Sequence, residues 1–191
     1  MSSTELVVGY LGERARPRVF VPLSLLVAAT AWFIAPGSAW DALGFAVCGA
    51  RALLLTLALR IWDDLQDRPR DALRDPDRVT VRARSTAPLM WLGTTLAAGA
   101  TMTLVGAAVP LRRISILGAV VLGLLVWYRA RPAEPSHLAS AVLLAKYPAL
   151  AILLAPGLGD FSPARAAISA GALYTIVCAY EFLEDRSRGM S

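Results

Sequence analysis

Residues 60–71 read Arg60-Ile61-Trp62-Asp63-Asp64-Leu65-Gln66-Asp67-Arg68-Pro69-Arg70-Asp71, four aspartates set among arginines directly after a long apolar run. Carboxylates are costly at membrane depth and mark function where they occur there. A second acidic patch, Tyr180-Glu181-Phe182-Leu183-Glu184-Asp185, follows the last apolar run. Carboxylates spaced in this way are able to share divalent cations, and such cations commonly hold a diphosphate.

The apolar runs decide the fold class. The 191 residues are 57% hydrophobic with a mean hydropathy of +0.56, well outside ordinary soluble composition. Apolar residues come in continuous runs rather than amphipathic stripes, and six spans are read near 19–36, 41–60, 87–109, 113–129, 137–156 and 164–182. Each approaches the ~20 residues that cross a hydrocarbon core. The expectation is an all-α polytopic membrane bundle of about six transmembrane helices, a single domain over residues 1–191. Breakers at Ala35-Pro36-Gly37, Pro132, Pro135 and Pro156-Gly157 mark turns. The longest connection, about residues 61–86, carries the first acidic cluster. Small residues such as Gly93, Gly99, Gly118 and Gly123 predict close helix contacts, because lipid supplies no hydrophobic drive between helices. The first span does not read as a cleaved signal peptide, since it follows a charged leader and lacks a small-residue cleavage site.

Charge placement orients the chain. Fourteen of the nineteen basic residues fall on one side of the expected membrane, in the leader and in the connections after spans two, four and six. Arg112, Arg113 and Arg165 fall on the other, while Arg51 and Lys146 lie inside spans. The positive-inside rule then puts both termini and both acidic patches in the cytoplasm. Topology explains the arginines and they alternate with aspartates, so no nucleic-acid partner is expected. Cys48 and Cys178 sit inside apolar spans and read as small packing residues, with no metal spacing and no disulfide framework.

On a helix continuing from span two, Asp64, Asp67 and Asp71 share one face, and Asp63 lies about 100° away. Glu181 and Asp185 share a face in the second patch, with Glu184 near them. Oxygen-only ligands favour magnesium over zinc or iron. The plain alternative is a solvated loop whose aspartates pair with Arg68, Arg70 and Arg74. Two patches at span mouths on one membrane face favour a shared site over that alternative.

These residues resemble the signatures of the UbiA-type intramembrane prenyltransferases. Asp63-Asp64-Leu65-Gln66-Asp67-Arg68-Pro69-Arg70-Asp71 is similar to their first signature, N-D-x-x-D-x-x-x-D, except at the opening Asn. Glu181-Phe182-Leu183-Glu184-Asp185 is similar to their second, D-x-x-x-D, with Glu in first place, and Asp75-Pro76-Asp77-Arg78-Val79 resembles their proline-arginine stretch. The resemblance covers nearly the whole chain and implies a UbiA fold lacking its last three helices. It implies that Asp64, Asp67, Asp71, Glu181 and Asp185 form the catalytic, magnesium-binding set, with Asp63 adding charge where the family has Asn. Arg78, with Tyr128 and Arg131, would hold the diphosphate. Three readings stay open for so short a chain: a natural short enzyme whose cavity a second copy or a partner subunit closes, a relative without activity, or a truncated chain.

A cation at mid-bilayer costs at least ~2.5 kcal/mol on insertion scales, so Arg51 and Lys146 should face the bundle interior. Lys146 is read either as an anion contact deep in the cavity, beneath the acidic cluster, or as snorkelling or paired with a carbonyl or carboxylate. His137 reads as interfacial, and Trp62 as an interfacial ring beside the acidic cluster that is able to cover a substrate. The function expected is magnesium-dependent transfer of a prenyl group from a prenyl diphosphate to a lipid-soluble, aromatic or other, acceptor within membrane lipid. A terpene cyclase of the UbiA type, ionising the diphosphate without an acceptor, is the second reading. A non-catalytic membrane subunit binding a lipid diphosphate or a partner protein is the third. The D-G-x-x-A-R opening of phosphatidyl-alcohol transferases is absent.

Overall fold

A computed structural model describes residues 2–35, 41–105, 110–130, 137–156 and 162–189. Arg131 and the breakers at 36–37, 132, 135 and 157 lie outside the described residues, as do the side chains of His137, Glu184 and Asp185. Among the described residues the chain is helical with no strand: α1 (Ser3–Arg14), α2 (Pro17–Ile34), α3 (Ala42–Arg74), α4 (Val79–Arg82), α5 (Ala87–Val105), α6 (Pro110–Ala130), α7 (His137–Leu144), α8 (Lys146–Leu154) and α9 (Pro163–Gly189). Local chemistry sets several starts. Ser2 and Glu5 form a reciprocal capping box on α1, Pro17 lies in the first turn of α2, and the Asp41 carboxylate accepts from the Leu43 and Gly44 N–H groups at the start of α3.

Four helices are long and apolar enough to cross a membrane: Pro17–Ile34, Ala42–Arg74, Leu111–Ala130 and Pro163–Leu183. Their surfaces agree with that reading, since large apolar side chains such as Phe33, Leu122, Ile168 and Leu183 point outward and are mostly exposed. The span expected near 87–109 forms α5, and the one near 137–156 is divided at Ala145 into α7 and α8. Pro148 accounts for the division: it has no N–H to give the Leu144 carbonyl, and its ring crowds that turn. The Ala145 N–H bonds instead to Val142, one residue short of helical spacing, and Ala149 then resumes the helix from Ala145.

One expectation is corrected. Residues 61–74 are not part of a connection but the last turns of α3, which runs unbroken for 33 residues through Pro69. The apolar second span and the aspartate run therefore share one rigid rod. The contacts of Asp63 and Asp64 described below pin that end in the bundle, which outweighs the loss of the hydrogen bond at Pro69.

α3 packs against α2, α5 and α8, and α2 against α8 and α9. Val27, Ala28, Ala31, Ala52, Leu150 and Ala151 are fully buried at the centre. A smaller cluster of Leu6, Tyr10, Ile61 and Leu89 seats α1 over α3 and α5. Arg51 and Arg113 find largely backbone acceptors. Arg51 donates to the Thr103 carbonyl and hydroxyl, both at 3.0 Å, and Arg113 donates to the carbonyls of Leu153 and Ala155 at the end of α8. Arg113, expected as a connection charge on the far side, is thus buried as a helix C-terminal cap, where a cation complements exposed carbonyls.

Of the small residues expected to bring helices together, Gly93 does so: a Cβ there would lie 3.2 Å from Ile61 Cγ2 on α3. Gly99, Gly118 and Gly123 meet nothing within 4 Å and do not act in this way among the described residues. Gly93→Leu should therefore overpack the α3–α5 contact and destabilise the bundle by about 1–3 kcal/mol. Gly123→Leu should leave the thermal unfolding temperature in detergent unchanged or raised.

Candidate functional site

The aspartates of α3 diverge. Asp63 and Asp64 are adjacent, so their side chains leave the helix about 100° apart, and each enters a different packed layer. Asp63 turns into the bundle, 5% exposed, and forms a buried ion pair with Lys146 at the start of α8 while accepting from the Tyr128 hydroxyl of α6. Tyr128 also packs beside Trp62, with ring centroids 6.2 Å apart. The break before Lys146 lets this happen, because α8 starts where the Lys146 side chain reaches α3.

Asp64 turns the other way, beneath α1. Tyr10 donates to its Oδ2 at 2.8 Å, and Arg14 spans both oxygens, with Nη2 2.6 Å from Oδ1 and Nε 3.2 Å from Oδ2. Arg60, one turn earlier on α3, adds an ion pair at 3.3 Å. Burial, and then the Asp64 charge, push the Tyr10 hydroxyl above the usual phenol range, so it stays protonated and keeps donating. Asp71 pairs with Arg78 Nη1 at 2.5 Å, and the same guanidinium reaches Asp75 through Nε at 2.9 Å. Burial pulls the Arg78 pKa down, but the hydrogen bonds to Asp71 and Asp75 outweigh it and hold the pKa above its ordinary value. Arg68 donates to the Ala83 carbonyl at 2.7 Å, and Glu13 accepts from the Val79 N–H at 3.2 Å, fastening α1 to the start of α4.

Arginines of these pairs converge on a cavity of about 480 Å³. Its head is lined by Arg14, Arg16, Arg18, Arg60 and Arg78 with Glu13 and Glu181, and its wall by apolar residues including Phe20, Leu23, Leu26, Leu144, Ile176 and Val177. The N-terminal ends of α2 and α4, the C-terminal end of α1, Arg60 of α3 and residues 176–181 of α9 thus meet around it. Among the lining side chains arginines outnumber glutamates, with Asp64, Asp71 and Asp75 paired to three of the arginines, while the wall suits hydrocarbon. Ile176 and Tyr180, each about half exposed, stand at the outer rim on α9.

Of the residues singled out in the sequence, Arg78 and Glu181 line this cavity. Asp64 and Asp71 stand behind its arginines. Asp67 is half-buried on the same helix, and Arg131 and the Asp185 side chain lie outside the described residues. Lys146 and Tyr128, expected to hold a diphosphate, both turn to Asp63, and neither lines the cavity. The alternative expected for Lys146, pairing with a carboxylate, is the arrangement found. Arg14 and Tyr10 were not singled out as site residues, and no local signal marks them. Arg60 carries one, its i, i+4 spacing to Asp64.

The magnesium set implied by the family resemblance can be tested on the donors. No three acidic, histidine or cysteine side chains converge as a metal site among the described residues. Both Asp64 oxygens are held by arginine, both Asp63 oxygens by Lys146 and Tyr128, and Asp71 offers one oxygen, the buried Oδ2, without a hydrogen-bond partner. Asp63, Asp64 and Asp71 therefore have their oxygens turned largely to protein cations and hydroxyls, while Glu181 lines the cavity and the Asp185 side chain lies outside the described residues. No protein-family model, curated protein or solved structure matches the chain.

The buried pair gives a direct test. Lys146→Met should leave Asp63 charged and without its cation inside the bundle, lowering stability by about 3–5 kcal/mol in thermal unfolding in detergent. Adding Asp63→Asn to Lys146→Met should recover most of that loss.

Proposed function

We propose that this chain is an intramembrane enzyme that binds a prenyl diphosphate and transfers its prenyl group to a lipid-soluble, aromatic or other, acceptor. In this reading it is a six-pass bundle with both ends and both acidic patches on the cytoplasmic side. The observation that carries the reading is the mixed lining of the cavity: five arginines together with apolar side chains of α2, α7 and α9, chemistry that suits a diphosphate ester and its hydrocarbon tail. The cavity volume falls within the ~300–1,000 Å³ of small-molecule sites. The similarity of residues 63–71 and 181–185 to the UbiA-type signatures supports the same substrate class.

The chemistry follows from that lining. The bond between the allylic carbon and the diphosphate oxygen breaks, and the departing charge is stabilised by fixed cations at the head. The allylic cation forms against the apolar wall, where water is scarce. The acceptor attacks it, and the proton displaced from the acceptor leaves to the released diphosphate or to water. The protein supplies position and electrostatics, with no covalent intermediate. Magnesium, implied by the resemblance, is assigned no step.

Purified protein given a prenyl diphosphate in magnesium buffer is expected to release pyrophosphate and prenylated product only when a lipid-soluble acceptor is present. A cyclic hydrocarbon formed without acceptor would instead assign a terpene cyclase. Absence of turnover under both conditions would leave a binding subunit. Arg78→Gln should raise KM for the prenyl diphosphate about tenfold, the size of one charge-assisted hydrogen bond.

A further inference from the structure

We infer that the head of this cavity is a metal-independent guanidinium clamp for a diphosphate amphiphile, in which Asp64 is a positioning residue that fixes Arg14 and Arg60. The inference rests on reading the cavity as a prenyl diphosphate site.

Order of depth carries it. The Asp64 side chain is 4% exposed, while Arg14 and Arg60, which pair with it, are 20% and 33% exposed and line the cavity. The carboxylate lies behind and the cations in front. Asp71 at 12% likewise lies behind Arg78 at 26%, another lining residue, although the same guanidinium also meets Asp75, which at 51% is the more exposed partner. A carboxylate serving a metal would have to face the anion; Asp64 and Asp71 face its counter-cations instead, and the lining carboxylates are Glu13, which holds the Val79 N–H, and Glu181. Arg14 covers both oxygens of Asp64, so a divalent ion would have to displace a bidentate arginine to reach them.

The clamp is also braced. Arg14 is the last residue of α1, and the neighbouring Glu13 holds the Val79 N–H beside Arg78, so the two arms of the clamp are joined through backbone. Tyr10 fixes Asp64 from the same helix. Guanidinium carries five N–H donors, and Asp64 engages a minority of those on Arg14, leaving others for phosphate oxygens. On Arg60, the buried Nε has no hydrogen-bond partner among the described residues, so its contact with Asp64 is electrostatic.

The test is equilibrium binding of farnesyl S-thiolodiphosphate, a slow-reacting prenyl diphosphate, to the full chain in detergent. It is run in excess EDTA and in millimolar magnesium. The clamp predicts dissociation constants within about threefold of each other in the two buffers. Arg14→Gln and Arg60→Gln should each weaken binding about tenfold in EDTA. Asp64→Asn should weaken it by a similar factor in both buffers, whereas loss of a metal ligand would remove only a magnesium-dependent gain. Inorganic pyrophosphate, which has the head without the tail, should bind at least about tenfold more weakly. Equal affinity would overturn the amphiphile assignment. Binding seen only with magnesium would overturn the clamp and leave the proposed activity standing. Absence of binding in both buffers would overturn that activity as well. The two arginine variants decide the outcome if Asp64→Asn fails to fold.

Discussion

A carboxylate carried into an apolar bundle has to find a cation there, because desolvating it alone costs several kcal/mol even after the protein relaxes. α3 brings two such carboxylates side by side, at 5% and 3% exposure. Much of the rest of the architecture answers that demand. Asp63 draws Lys146 and Tyr128 together and so ties α8 and α6 to α3. Asp64 draws Tyr10 and Arg14 down and so fixes α1 across the end of the bundle. Both ties depend on the helix of the second apolar run continuing unbroken through Asp63 and Asp64.

The same demand shapes the cavity. Once α1 is pinned at Asp64 and α4 at Asp71 and Glu13, their arginines are held at one end of the bundle with α9 opposite. The aspartates themselves do not face the cavity. Their role is indirect: they place guanidinium groups that would otherwise be long, solvated and mobile in side-chain rotamer. Such fixed cations stabilise developing charge without reorganising at the moment of reaction, which is where electrostatic catalysis gains most.

Local signals in the chain reveal a good deal. The apolar runs specify helices long enough to cross a membrane, the Ser2–Glu5 capping box starts α1, and Pro148 breaks the fifth run. The i, i+4 spacing of Arg60 and Asp64 announces one ion pair of the site. Gly93 is legible as a close contact, but Gly99, Gly118 and Gly123 look the same in sequence and make none among the described residues. A glycine reports that a helix is able to approach, not that one is there.

Composition and patterning were enough to mark apolar helices long enough to cross a membrane and the gathering of acidic and basic residues after the second and last runs, but not α1, the extension of α3 to Arg74 or the split at Ala145. The marked features follow from composition and from the 3.6-residue period, which act within a few turns. Only the tertiary structure decided which charges meet. Asp64 and Arg14 are 50 residues apart and Asp63 and Lys146 are 83 apart. Neighbouring aspartates on a helix point about 100° apart, so helix packing alone settles which cation each one finds. That choice set Asp64 and Asp71 against Arg14, Arg60 and Arg78, and Asp63 against Lys146.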